Sequence, residues 1–146
     1  MSSRLLHEAV KRGDLVELGR LLQADRGLAN ARSETDFRGP FPLHVAAEAG
    51  QTAAAHLLLE HGADVGLRCT ENWAIALGWA AFFGRPDIVQ ALLAAGSDPS
   101  HRNRHGLTPL GCALGGVEGR WQRFSNASPA DWQRAADLIR ARGGIE

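Results

Sequence analysis

Apolar positions along this 146-residue chain fall in short clusters, and the clusters repeat. Leu43, Leu77 and Leu110 open similar apolar segments at spacings of 34 and 33 residues. Gly50 and Gly84 follow at a fixed offset, then the pairs Leu58-Leu59 and Leu92-Leu93, then Gly62 and Gly96. Upstream, Leu6, Gly13 and Leu21-Leu22 keep the same internal offsets, and downstream Leu138-Ile139 close the series. A period of this size marks a stack of supersecondary units. Four are legible, at approximately residues 3–34, 35–68, 69–102 and 103–146, within a single domain spanning 1–146.

Each unit reads as a short helix, a glycine turn, a second helix and a glycine stop. In the segment from Pro42 to Ala49 the proline suits a first helical turn, where its missing N–H is not needed, and Gly50 suits the left-handed stop. Helices this short are marginal alone, so Leu57, Leu58, Leu59 and their counterparts must bury against neighbouring units. The expected fold is therefore all-α and elongated.

The segment Phe41-Pro42-Leu43-His44-Val45-Ala46-Ala47-Glu48-Ala49-Gly50, followed by Leu58-Leu59-Glu60-His61-Gly62-Ala63-Asp64-Val65, resembles the ankyrin repeat. The next unit matches better at its back, Leu92-Leu93-Ala94-Ala95-Gly96-Ser97-Asp98, than at its front, and the last begins well with Gly106-Leu107-Thr108-Pro109-Leu110 and then departs. The resemblance covers roughly residues 4 to 143. It implies a solenoid of four helix-turn-helix units with hairpin fingers near residues 32 to 41, 66 to 75 and 100 to 107. It further implies a concave face of inner helices and fingers that binds another protein or peptide, with His7 and His44 bonded to neighbouring backbone.

Two departures stand out. After Leu114 the second helix of the last unit is delayed by residues 115 to 127, which include Trp121, Arg123 and Phe124 beside Arg120. Long insertions in compact domains are commonly functional or disordered. This one either covers the end of the stack or forms a binding loop or lid. The helix is expected to restart at Ser128-Pro129-Ala130-Asp131, with Ser as N-cap, and to span about 129 to 142. In the third unit, Trp73 replaces the finger glycine, Gly78 replaces the histidine, and Trp79, Phe82 and Phe83 follow. Trp79 is expected in the core, while the register of Phe82 and Phe83 faces the groove.

Composition narrows the partner. Sixteen basic and sixteen acidic residues leave no net charge to attract nucleic acid or anionic membrane. No apolar run approaches the ~18 residues of a membrane span, and no signal segment opens the chain, so a cytoplasmic location is expected. Lys11 is the sole lysine, an arginine bias that suggests a bacterial source. Cys69 and Cys112 are expected as reduced thiols.

Neither a phosphate loop, a nucleophile elbow nor a zinc array is present, and His101 and His105 fall on a finger rather than a helix face. No catalytic residue, cofactor or metal site is expected. Glu48 with Arg38 and Arg68 is the nearest approach to an acid-base cluster, and is better read as a polar binding patch. The expected partner contacts are Phe37, Arg38, Glu48, Arg68, Glu71, Asn72, Phe82, Phe83, Arg102, Arg104 and His105, with Trp121 and Phe124 if the insertion takes part. The alternative is a small-molecule site or enzyme pocket covered by the 115–127 loop.

Overall fold

A computed structural model describes residues 2–146. Four helix pairs follow one another: α1 (Ser2–Arg12) with α2 (Leu15–Ala24), α3 (Pro42–Ala49) with α4 (Thr52–Glu60), α5 (Ala76–Phe82) with α6 (Pro86–Ala94), and α7 (Pro109–Val117) with α8 (Pro129–Ala141). Short 3-10 turns occupy Arg26–Asn30 and Gln122–Phe124. The first helix of each pair packs on the first helix of the next, and the second on the second, giving an inner and an outer row.

Local chemistry sets the helix boundaries. Pro42 opens α3, and the Phe41 N–H donates to His44 Nδ1 at 3.2 Å. Gly50 then ends the helix with φ 72°, a conformation that costs a residue with a Cβ. In α8 the expected Ser128 cap forms reciprocally: Ser128 Oγ accepts from the Asp131 N–H at 3.2 Å, and Asp131 Oδ2 accepts from the Ser128 N–H at 2.9 Å.

Helices of seven to thirteen residues are held by what they bury between the rows. Leu6, Leu18, Leu58, Leu77, Ile88, Leu92, Trp132 and Ile139 are wholly buried, and each aliphatic side chain of this kind contributes about 1.5–3 kcal/mol when removed from water. The N-terminal unit exposes Leu5, Leu15 and Val16 beside Arg4, Lys11, Arg12 and Arg20.

Among the described residues there is no strand. The fingers are instead turns, closed at their bases by the backbone bonds Ser33 N–H to Pro40 O, Cys69 N–H to Ala74 O, and Asn103 N–H to Leu107 O, at 2.8, 2.9 and 3.0 Å. Neighbouring fingers are tied to each other. The N–H groups of Thr70 and Glu71 donate to Arg38 O, and that of Arg104 to Asn72 O. His7 and His44 each donate Nε2–H at 2.8 Å to the carbonyl of the following finger region, Ala31 and Ala74 respectively. Both histidines are buried, and burial lowers the pKa of His7 and takes that of His44 down to about 4.

The last unit begins its delay later than the sequence implies. Helix α7 continues through Gly115, Gly116 and Val117, because Val117 stands in the register where Gly50 and Gly84 stop the earlier inner helices. No helix among the described residues is long and apolar enough to cross a membrane.

Candidate functional site

A groove of about 460 Å³ runs between the inner helices α5 and α7 and the fingers. Its floor is Ile75, Gly78, Trp79, Phe82, Phe83 and Cys112, and its rim is Arg38, Glu48, Glu71, Asn72, His101, Asn103 and His105. Gly78 holds the register of His44 without its side chain. The groove reaches helix α5 there. Apolar floors with a few placed polar groups are the usual form of a binding recess.

Arg38 organises one wall. It donates Nη1 and Nη2 to the two Glu48 carboxylate oxygens at 3.0 and 2.9 Å, and Nη2 and Nε to the Asp36 oxygens Oδ2 and Oδ1 at 2.7 and 3.1 Å. Its guanidinium carbon also lies 4.8 Å from the centre of the Trp79 ring. The bonds to Asp36 and then Glu48 raise the Arg38 pKa above its ordinary value, and the Arg38 bond lowers that of Asp36. Both Glu48 carboxylate oxygens are thus engaged by Arg38.

The expected cluster of Glu48, Arg38 and Arg68 is therefore only partly correct. Arg68 and Arg104 line a separate recess across the second finger. Phe37 is 89% exposed at its finger and does not line the groove. Arg102 lines neither recess and donates to the carbonyls of Gly106 and Glu146 at 2.9 and 3.2 Å. Arg38, Glu48, Glu71, Asn72, Phe82, Phe83, His105 and Phe124 do converge on the groove. Phe83, however, is only 8% exposed and packs edge-on to Trp79 and Phe82. Trp79 is 7% exposed, and its remaining surface supports Arg38. Ile75, His101, Asn103 and Leu107 were not anticipated. The replacement of histidine by Gly78 was the one available sign that the floor opens here.

The insertion packs against the ends of α5 and α7. Trp121 stacks on Phe82, ring centres 4.8 Å apart and planes 29° apart, and donates its indole N–H to Cys112 O at 2.8 Å. A Cβ on Gly115 would sit 2.7 Å from that indole, so the glycine makes the seat. Ser125 Oγ donates to Phe83 O at 2.6 Å, and Asn126 Oδ1 accepts from Arg85 Nη1 at 2.7 Å. Phe124 is the residue of this segment that lines the groove; it is 51% exposed and 5.9 Å from Phe82. Trp121 thus serves packing and Phe124 faces outward.

Cys69 and Cys112 are buried and free. Burial pushes the Cys112 thiol up to about 12. Among the described residues no group of three or more His, Cys, Asp or Glu is arranged to hold a metal ion; His101 instead donates Nε2–H to Trp73 O at 2.9 Å.

The family description "Ankyrin repeats (3 copies)" matches residues 6–103, and the chain belongs to the ankyrin repeat family. It is similar to the ARF GTPase-activating protein GIT1 of Homo sapiens, 32% identical over 120 residues that cover 73% of this chain and 15% of that protein. It is also similar to ankyrin repeat domain-containing protein 13C of Danio rerio, 34% identical over 88 residues that cover 60% of this chain and 17% of that protein. The chain therefore spans less than a fifth of the length of these relatives. Both are vertebrate proteins and lend no support to a bacterial source.

Proposed function

We propose that the chain is a protein-interaction module whose concave groove takes a peptide segment carrying an apolar anchor next to a basic residue. Ankyrin repeats generally act as protein-binding modules, and the fold carries that much. The observation that carries the finer reading is the half-buried Phe82, framed by Phe124 and Trp121 in a groove whose rim includes Glu48 and Glu71. The Glu48 charge is already shared with Arg38, whereas Glu71 is exposed on the rim and makes no side-chain bond within the described residues. An aromatic anchor excludes water, and a rim charge sets orientation and register. Candidate contacts outside the groove, Phe37 and Arg102, belong at most to the periphery of such an interface.

The test is selection of displayed random peptides on the intact chain. The expected winners share a large apolar residue adjacent to Lys or Arg. Phe82→Ala should weaken a selected peptide about thirtyfold, as for an anchor residue, and Glu71→Gln should weaken basic peptides selectively. Selection of peptides with no common apolar position, or full affinity in Phe82→Ala, would refute the reading.

A further inference from the structure

The second finger separates two recesses of opposite character. On its far side lies an open recess of about 730 Å³ lined by Arg32, Arg68, Arg104, Thr70, Trp73 and Phe41, together with Gly66, Leu67 and Cys69. No Asp or Glu is among its lining residues. Asp64, close by in sequence, is turned onto the Gly66 N–H at 2.8 Å. In a chain with no net charge, three arginines line this one recess without a carboxylate.

Two of the three are mounted on aromatic rings. Arg32 lies over Phe41, 4.3 Å from the ring centre, and is anchored by bonds to Gly39 O, Thr70 Oγ1 and Arg68 O. Arg104 lies over Trp73 at 4.6 Å. A stacked guanidinium keeps its N–H donors in the plane of the group, aimed at the edge of the ring rather than its face. Arg68 is exposed, and its side chain makes no bond within the described residues. Arg68 and Arg104 therefore have donors to offer, while Arg32 supplies a fixed charge and leaves the Thr70 hydroxyl its own proton to donate.

Trp73 gives a second and independent reason to look here. It has φ 62°, left-handed backbone in the register where the other fingers use Gly39 and Gly106. Such a conformation is costly for a bulky residue and persists where surroundings enforce it. Trp73 is 47% exposed, so burial of its ring does not explain its presence. What it does is hold Arg104.

We infer that this recess is a binding site for a compact multivalent oxyanion, a phosphate or pyrophosphate group on a small molecule, held by Arg68 and Arg104 with Arg32 behind them. Three positive charges around one recess suit a compact anion better than an extended chain of singly charged side chains. Forked guanidinium groups bind phosphate through paired hydrogen bonds. The inference is independent of the peptide reading, because the two recesses share no lining residue.

The experiment is calorimetric titration of the intact chain with sodium pyrophosphate at low salt. Saturable one-to-one binding is expected. Arg68→Gln and Arg104→Gln should each weaken it at least about tenfold, the loss expected for a charged hydrogen-bond donor. Phe82→Ala and Arg102→Gln, both outside the recess, should bind like the parent. Trp73→Gly should melt no lower than the parent, since glycine accepts the left-handed backbone, yet bind pyrophosphate more weakly through the loosened Arg104. Absence of saturable binding would overturn the proposal. So would an equal loss in Arg102→Gln and Arg104→Gln, which would mean diffuse charge. An Asp- and Glu-rich or phosphoserine peptide that binds where pyrophosphate does not would overturn it in favour of a macromolecular partner.

Discussion

Trp132 donates its indole N–H to the carbonyl oxygen of Phe82 across 3.0 Å, joining residues fifty positions apart in the chain. The contact is possible because Gly116 has no side chain; any Cβ there would collide with the Trp132 ring.

Gly116→Ala should therefore destabilise the protein despite alanine's higher helix propensity. Overpacking of a closed site typically costs about 1–3 kcal/mol, against ~1 kcal/mol gained from propensity. Gly115→Ala should behave alike through Trp121. Gly19→Ala is the control: in α2 its nearest neighbour beyond the helix backbone would be a Leu57 methyl at 4.0 Å, so propensity should win and stability rise. Thermal melts of the three variants decide the matter. A stabilised Gly116→Ala variant would show that Trp132 moves freely.

Phe82 and Phe83 should separate cleanly. Phe83 is buried against Trp79, and truncation to Ala should cost about 3–5 kcal/mol of folding stability. Phe82 is half-buried, and its alanine variant should retain more stability while losing peptide affinity. Chemical denaturation of each variant measures the difference, and equal losses would place both in the core.

The sequence made the repeat register plain because glycine stops and leucine pairs are fixed by the backbone geometry of each unit. It also located the Ser128 cap and the helix histidines His7 and His44 that bond to neighbouring backbone. The side of the finger on which Arg68 and Arg38 project was not legible, since a turn without strand pairing carries no alternation to read. Nor were the seats of Trp121 and Trp132, which depend on the absence of side chains at Gly115 and Gly116 in a segment that otherwise looks like a flexible linker. Gly115-Gly116 suggested a break in the chain, whereas tertiary packing overrides glycine's poor propensity and keeps both in α7.

Acid should loosen the fingers before it titrates most carboxylates. His44 donates Nε2–H to Ala74 O and accepts the Phe41 N–H at Nδ1, so its folded form is neutral. Its pKa falls from 6.5 to about 4 through burial, then through repulsion from Arg32 and His7 against the opposing backbone bond. The unfolded chain takes up the proton first. Stability is thus full above about pH 6.5 and declines as pH falls towards 4, by roughly 3 kcal/mol at most for this residue. His7, also lowered by burial, adds with the same sign. Urea midpoints at pH 7.5, 6 and 5 should fall in that order, with a flatter profile in His44→Gln. A flat profile in the parent would contradict the neutral assignment.

The thiols should be inert while the chain is folded. Cys112 is buried and has its pKa pushed up to about 12, which starves it of thiolate. The buried Cys69 donates its S–H to Asn72 Oδ1 at 3.0 Å. Iodoacetamide should modify neither at pH 8 until denaturant is added, and reducing agent should leave the melting temperature unchanged. Rapid alkylation of Cys112 in the native chain would show that the floor of the groove opens.

Arg85 reaches in two directions at once. It donates to the carbonyls of Ala47 and Glu48 in the unit before it and to Asn126 in the unit after it. Repeat arrays usually couple only adjacent members and can come apart from either end. A single guanidinium that bridges three successive members ties both interfaces of its unit through one side chain, and Trp132 reinforces it from the far side. Loss of order should accordingly run in one direction: amide exchange in α1 and α2 should outpace that in the remaining helices, which open together as a single cooperative block.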